Sequence, residues 1–180
     1  MVDRQLAAQQ AALSNDQMMV IRPLGEEDRA ALLAFGQALP QDDLLYLEDD
    51  FQSPEIIARL VNAHQAENWR QIVVEADGEI IGYSSVRRLP GWSSHVADIV
   101  LLVSPRCRRA GVGVALAQAI FDAARDLGAS KVIVEMLEEQ QAGRAIFERL
   151  GFRVEGTLSK HTRDRQGQYH NLLILSYHVG

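Results

Sequence analysis

The chain has 180 residues, enough for one domain with a sizeable core and short for two. An apolar fraction of 47% against 23% charged residues is that of a folded α/β protein and excludes a disordered chain. A net charge of −6 argues against a nucleic-acid partner, which would need clustered excess Lys and Arg.

The single cysteine, Cys107, permits no intrachain disulfide and gives no sign of an oxidising compartment. Residues 1–17 lack the continuous apolar run of a signal peptide, and no stretch approaches the apolar length of a membrane span, so a cytoplasmic protein with no membrane partner is expected. Ala and Leu recur at helical spacing in residues 1–17, which read as a tail or a short helix preceding a single domain over 18–180.

From Met18, MMVIRPL reads as a first strand, and GEEDRAALLAFGQAL as a helix with acids ahead of its apolar face. DDLLYLEDD reads as a second helical patch. Ser53 and Pro54 open a third helix over PEIIARLVNAHQ as cap and first-turn residue. RQIVVEADGEIIGYSSVRRL reads as a hairpin, because Asp77-Gly78 tolerates the positive φ angles of a tight turn. SSHVADIVLLVS is a fourth strand whose IVLLV run implies burial on both faces.

Val112, Leu116, Ala119, Ile120, Ala123 and Leu127 then mark a helix that Gly128 ends. SKVIVEML is a fifth strand, QQAGRAIFERL a helix stopped by Gly151, and FRVEGTL and NLLILSYHV two last strands around HTRDRQGQY, read as a turn or flexible loop.

The stretch SPRCRRAGVGVALAQAI places two arginines and two glycines where a capping serine or aspartate would be usual. A strand running into a glycine-rich turn and a helix N-terminus makes an anion site, since free N–H groups converge there with about half a positive charge from the helix dipole. Gly111 and Gly113 let a diphosphate approach the main chain, and Arg108 and Arg109 raise the local potential. A tight turn with solvated arginines is the alternative. A Walker loop needs Gly-Lys-Ser/Thr, absent here, and a dinucleotide fingerprint needs a small residue where Leu116 stands.

Arg108-x-x-Gly111-x-Gly113 instead resembles the Arg/Gln-x-x-Gly-x-Gly/Ala acyl-CoA pyrophosphate motif of the GNAT superfamily of N-acetyltransferases. IVEMLEEQQAGRAIFERLGFRVEGTL is similar to that superfamily's second signature, a strand and a helix followed by Tyr/Phe-Glu-Lys/Arg-Leu-Gly-Phe and another strand. The resemblance covers nearly the whole chain from residue 18. It implies an α+β fold with a central mixed, mostly antiparallel sheet of six to seven strands, flanked by helices and splayed between the fourth and fifth expected strands.

It also implies acetyl-CoA as acyl donor, an amine acceptor, no metal, and a homodimer as the candidate oligomer. By the same resemblance the amides of Arg109, Ala110, Gly111, Val112, Gly113 and Val114, with Arg108, hold the pyrophosphate, and the backbone of Leu101, Leu102 and Val103 pairs with the pantetheine arm. Gln140 takes the place of a usual Asn, and Phe147 that of the Tyr that protonates the departing thiolate.

Phenylalanine has no proton to give, so either the thiolate leaves without a dedicated acid, which a thiol pKa of about 8.5 allows, or Tyr83, Tyr169 or the substrate ammonium supplies the proton. Asp98 matches the position of a family Glu and is the candidate base that takes the amine's proton; a plain strand-end carboxylate is the alternative. His95 ranks second, since alternation puts it on the opposite face. Asp42, Asp43, Glu48, Asp49 and Asp50 favour a cationic acceptor such as a polyamine, a lysine side chain or an aminoglycoside, or form a solvated acidic face; Tyr46 is a pocket wall or core. A non-catalytic acyl-CoA-binding or sensing module is the rival reading.

Overall fold

The central strands are apolar on both faces, so helices must cover both sides of the sheet. The computed structural model, which describes residues 9–12, 18–108 and 110–180, shows this arrangement. Its strands are β1 (Gln9–Ala12), β2 (Met18–Pro23), β3 (Trp69–Ala76), β4 (Glu79–Arg88), β5 (Val96–Val103), β6 (Lys131–Leu137), β7 (Arg153–Arg163) and β8 (Tyr169–His178). Its helices are α1 (Arg29–Gln37), α2 (Pro54–Asn62), α3 (Val112–Asp126) and α4 (Gln141–Arg149).

The sheet runs β1-β2-β3-β4-β5-β6-β8-β7. Every pairing is antiparallel except β5 with β6. The expected mixed sheet is therefore present, with one strand more than the seven anticipated. That strand, Gln9–Ala12, falls in the segment whose spacing suggested a tail or short helix; it pairs with Met18–Ile21, and the rest of residues 1–17 lies outside the described residues.

Two apolar layers follow from strand alternation. On one side Ile72, Val74, Val86, Ala97, Ile99, Val132 and Val134 pack against Val112, Leu116 and Ile120 of α3. On the other, Val73, Tyr83 and Leu102 pack against Leu32 and Phe35 of α1 and Ile57, Leu60 and Val61 of α2. Gln71 satisfies the buried polar groups of that second layer, donating from Nε2 to the Leu60 carbonyl at 2.8 Å and accepting from the Tyr83 hydroxyl at 2.8 Å.

Local signals were mostly sufficient. Asp77 and Gly78 have φ of 51° and 78°, as a tight hairpin turn demands. The Ser53 hydroxyl accepts from Ile56 N ahead of Pro54. One expectation is corrected. DDLLYLEDD is not a helix: Gln41–Asp43 is a single 3-10 turn, and the chain then proceeds by separate turns, with Asp50 Oδ1 accepting from Gln52 N. Its aspartates bond locally and to other elements, which competes with helical pairing. HTRDRQGQY holds the expected turn at 164–168, closed by Asp164 Oδ1 accepting from the amides of Gln166 and Gln168, while β7 runs on through Arg163 before it.

Gly36 seats the α1–α2 connection. A Cβ there would lie 1.9 Å from the Phe51 carbonyl oxygen, a main-chain atom that cannot swing aside. Gly36→Ala should therefore lower stability by about 1–3 kcal/mol in urea unfolding, despite alanine's better helix propensity.

Among the described residues no helix is long and apolar enough to cross a membrane.

Candidate functional site

The parallel pairing of β5 with β6 covers four positions, Val96–Ile99 against Lys131–Val134. Beyond them the strands part, while β4 stays paired with β5 as far as Val103. The β6-facing edge of Val100–Val103 thus has no strand beside it, and the Leu101 carbonyl there accepts from the Tyr46 hydroxyl at 3.0 Å.

At the end of β5 the chain turns through Pro105–Cys107 into α3. Gly111, the N-cap, has φ +89° and no side chain bonds to the helix end, so the orphan N–H groups of the first turn stay available. A Cβ at Gly111 would meet nothing within 4 Å, so the turn faces open space at that residue. At Gly113 a Cβ would come within 3.0 Å of Ile146 Cδ1, so the helix start lies tight against α4. Arg108 pairs with Asp43 while keeping its side chain 48% exposed. Ala110, Gly111, Val112, Gly113 and Val114 are thus gathered at one turn; Arg109 lies outside the described residues.

A cavity opens on the α1–α2 side of the sheet beside this edge. Alternation on three adjacent strands brings Tyr83, Ser85 and Arg87 of β4, Asp98 and Val100 of β5, and Glu135 of β6 to its floor. Tyr46, Glu48 and Asp49 line it from above. Burial pushes the Asp98 carboxyl up to about 7; Glu135 and Glu48 push the same way and Arg87 opposes them. Glu135 is also raised, by burial and by Glu48, with His161 opposing. Two carboxyls on one cavity disfavour each other's ionisation.

Other expected residues fall elsewhere. His95 is exposed ahead of β5, and its carbonyl accepts from the amides of Ser130 and Lys131. Tyr169 is 60% exposed at the start of β8. Neither lines the cavity that holds Asp98. Tyr83 does line it, but its hydroxyl is committed to Gln71 in the core. Phe147 is 2% exposed and packs edge-on against Phe152 at 5.2 Å. Gln140 folds back, its Oε1 accepting from Leu137 N at 2.8 Å, and sits at the end of β6 near the Tyr46 hydroxyl.

Sequence reasoning missed Glu135. The available signal was a lone acid inside the apolar run KVIVEML, where an unpaired charge calls for a reason.

A mixed sheet parted beside a glycine-led helix with no side-chain cap defines the class of this α/β domain. The family model described as the acetyltransferase (GNAT) family matches residues 27–152, and the chain belongs to that family. A curated relative, an N-alpha-acetyltransferase from Sulfurisphaera tokodaii, is 29% identical over a match covering 54% of this chain. The chain spans only 64% of that relative's length.

Similar solved structures include a GCN5-related N-acetyltransferase from Kribbella flavida (24% identity, TM-score 0.78, 89% of this chain and 98% of that one). A ribosomal-protein-alanine N-acetyltransferase from Brucella melitensis is similar at 21% identity, TM-score 0.76, over 88% and 99% of the two chains. An acetyltransferase from Salmonella typhimurium, solved with acetyl-CoA, is similar at 18% identity, TM-score 0.77, over 90% and 94%. These likenesses show the shared fold.

The raised Asp98 pKa has a stability consequence with a definite sign. Between about pH 4 and pH 7 the folded chain holds a proton on Asp98 that the unfolded chain has released, so stability falls as pH rises through that window. Asp98→Asn should flatten this decline, matching the parent near pH 4 and exceeding it at pH 8 by roughly 1–4 kcal/mol in chemical denaturation.

Proposed function

We propose that this protein is an acetyl-CoA-dependent N-acetyltransferase that moves an acetyl group to a primary amine by direct attack in a ternary complex. The observation that carries the reading is the placement of Asp98, a carboxyl with its pKa near 7, in a cavity beside the open edge of β5. The turn fits the donor: free amides, a left-handed glycine with open space before it, and Arg108 at its rim suit a diphosphate.

In this reading Arg108 and the amides of residues 109–114 would hold the diphosphate. The free edge of Leu101, Leu102 and Val103 would pair with the pantetheine amides, with Gln140 at the far side of the gap. Acetyl-CoA, when bound, supplies an acetyl group activated as a thioester.

The chain's own task is to handle the acceptor's proton. A primary alkylamine is almost fully protonated at pH 7, and removing that proton costs about 4.6 kcal/mol. A base whose pKa lies near the working pH serves best, and Asp98 meets that condition through burial. Glu135 and Glu48, on the same cavity, favour a cationic acceptor and offer the proton a way out. His95 and Tyr169 rank below Asp98, being outside the cavity. Phe147 is core and offers no proton; a thiol's ordinary pKa near 8.5 makes a dedicated acid dispensable. The single cysteine suits a cytoplasmic setting.

Phe147 also favours a second reading, a non-catalytic acyl-CoA sensor. The two separate in one assay: a panel of amines and peptides incubated with acetyl-CoA, with free thiol followed. The enzyme releases thiol with some acceptor. A sensor gains thermal stability from CoA and releases none. Asp98→Asn should lower kcat/KM by about 100-fold or more with CoA affinity kept. An unchanged rate and pH profile in that variant would refute the assignment of the base.

A further inference from the structure

The α1–α2 connection touches both halves of the site at once. Asp43, whose side chain is 14% exposed, pairs with Arg108 of the anion turn. Three residues on, the Tyr46 hydroxyl donates to the Leu101 carbonyl on the open edge of β5. Glu48 and Asp49 then cover the cavity that holds Asp98 and Glu135, and Asp49 also pairs with Arg59 of α2. The two tethers therefore grip groups that the reading above gives to acetyl-CoA, Arg108 to its diphosphate and the Leu101 edge to its pantetheine arm.

We propose that residues 41–50 are a strap released by the donor: a diphosphate competes with Asp43 for Arg108, and its binding loosens the segment that covers the acceptor cavity. The inference rests on the acetyl-CoA reading and deepens it. The competition favours the diphosphate. It carries at least two negative charges and several acceptor oxygens for the guanidinium fork, against one carboxylate, and it also meets the free amides of α3, which Asp43 does not reach by any hydrogen bond among the described residues.

The ion pair is weak enough to exchange, because Arg108 is about half in water. With Asp43 let go, the strap keeps the Asp49–Arg59 pair, so it loosens near the anion turn and stays anchored beyond it. Apolar contacts of Leu44 and Leu47 with the α1–α2 core limit the movement to a local opening.

The test uses coenzyme A itself. Calorimetry would compare the parent protein with Asp43→Asn and with Asp42→Asn, a neighbouring change of identical charge at an exposed residue with no recorded partner among the described residues. Asp43→Asn should bind coenzyme A about two- to fivefold more tightly and Asp42→Asn within about 1.5-fold of the parent, the range expected for freeing a half-exposed ion pair. Amide hydrogen exchange supplies a readout independent of affinity and activity. Coenzyme A should speed exchange in residues 41–50 of the parent, and Asp43→Asn should already show the fast exchange without ligand.

Equal or weaker binding by Asp43→Asn, or equal tightening by both variants, would overturn the strap while leaving acetyl-CoA as donor. Slower exchange of the segment on binding would overturn it too. Failure of the parent to bind coenzyme A would instead remove the acetyl-CoA reading, and the strap with it.

Discussion

The early end of the pairing between β5 and β6 governs the rest of the molecule. Four residue pairs hold the two strands parallel, and then Val100–Val103 run on with only β4 beside them. Main-chain groups left without a strand partner must be satisfied in some other way, by water, a side chain or a ligand. At Leu101 a tyrosine hydroxyl does this. The free edge of β5 that results lies between the cavity holding Asp98 and the glycine turn at the strand's end.

Charge is distributed against the molecule's overall balance. The chain is net negative, yet an arginine and an uncapped helix end mark the turn at the close of β5. The opposite arrangement holds at the cavity, where Asp98, Glu135 and Glu48 stand near one another. Burying carboxyls costs stability unless they are paired or protonated, and the Asp98 pKa rises accordingly. Arg87 relieves part of this strain from the neighbouring position on β4, and it is itself held over the Trp69 ring at 5.1 Å. The resulting carboxyl changes charge near neutral pH because its surroundings oppose one another, which is a common origin of acid and base groups in enzymes.

What could be read from the chain and what could not divide along the range of the interactions involved. The Asp77-Gly78 turn, the Ser53 cap, the α3 periodicity and the Arg108/Gly111/Gly113 spacing are local, and each appears where the sequence places it. Asp98 lies on the strand that its apolar run marks, and the cavity it lines appears only in the fold. The segment from Gln41 to Asp50 was misread as a helix because its conformation depends on residues far along the chain, Arg108 and Leu101 among them. Glu135 escaped notice for a related reason. Its acidity was visible, but its meaning arises only from the parallel register that sets it beside Asp98. His95 and Tyr169 show the converse: residue types suited to the chemistry, in positions that the fold keeps away from the cavity.

Phe147 is best understood through packing. It belongs to a cluster with Phe121 of α3, Phe152 and Tyr177 of β8, in which three pairs meet edge to face with centroids 4.9 to 5.5 Å apart and Phe152 lies tilted against Tyr177 at 5.6 Å. Such contacts add to simple area burial and favour one orientation of the rings. They fix α4 against α3, and α4 in turn brings Ile146 against the start of α3 at Gly113. A hydroxyl on the buried ring at 147 would need a hydrogen-bond partner in an apolar surrounding, at a cost comparable to a lost hydrogen bond if none were found. Phenylalanine at this position therefore avoids that cost and gives α4 a firm seat beneath the turn that opens α3.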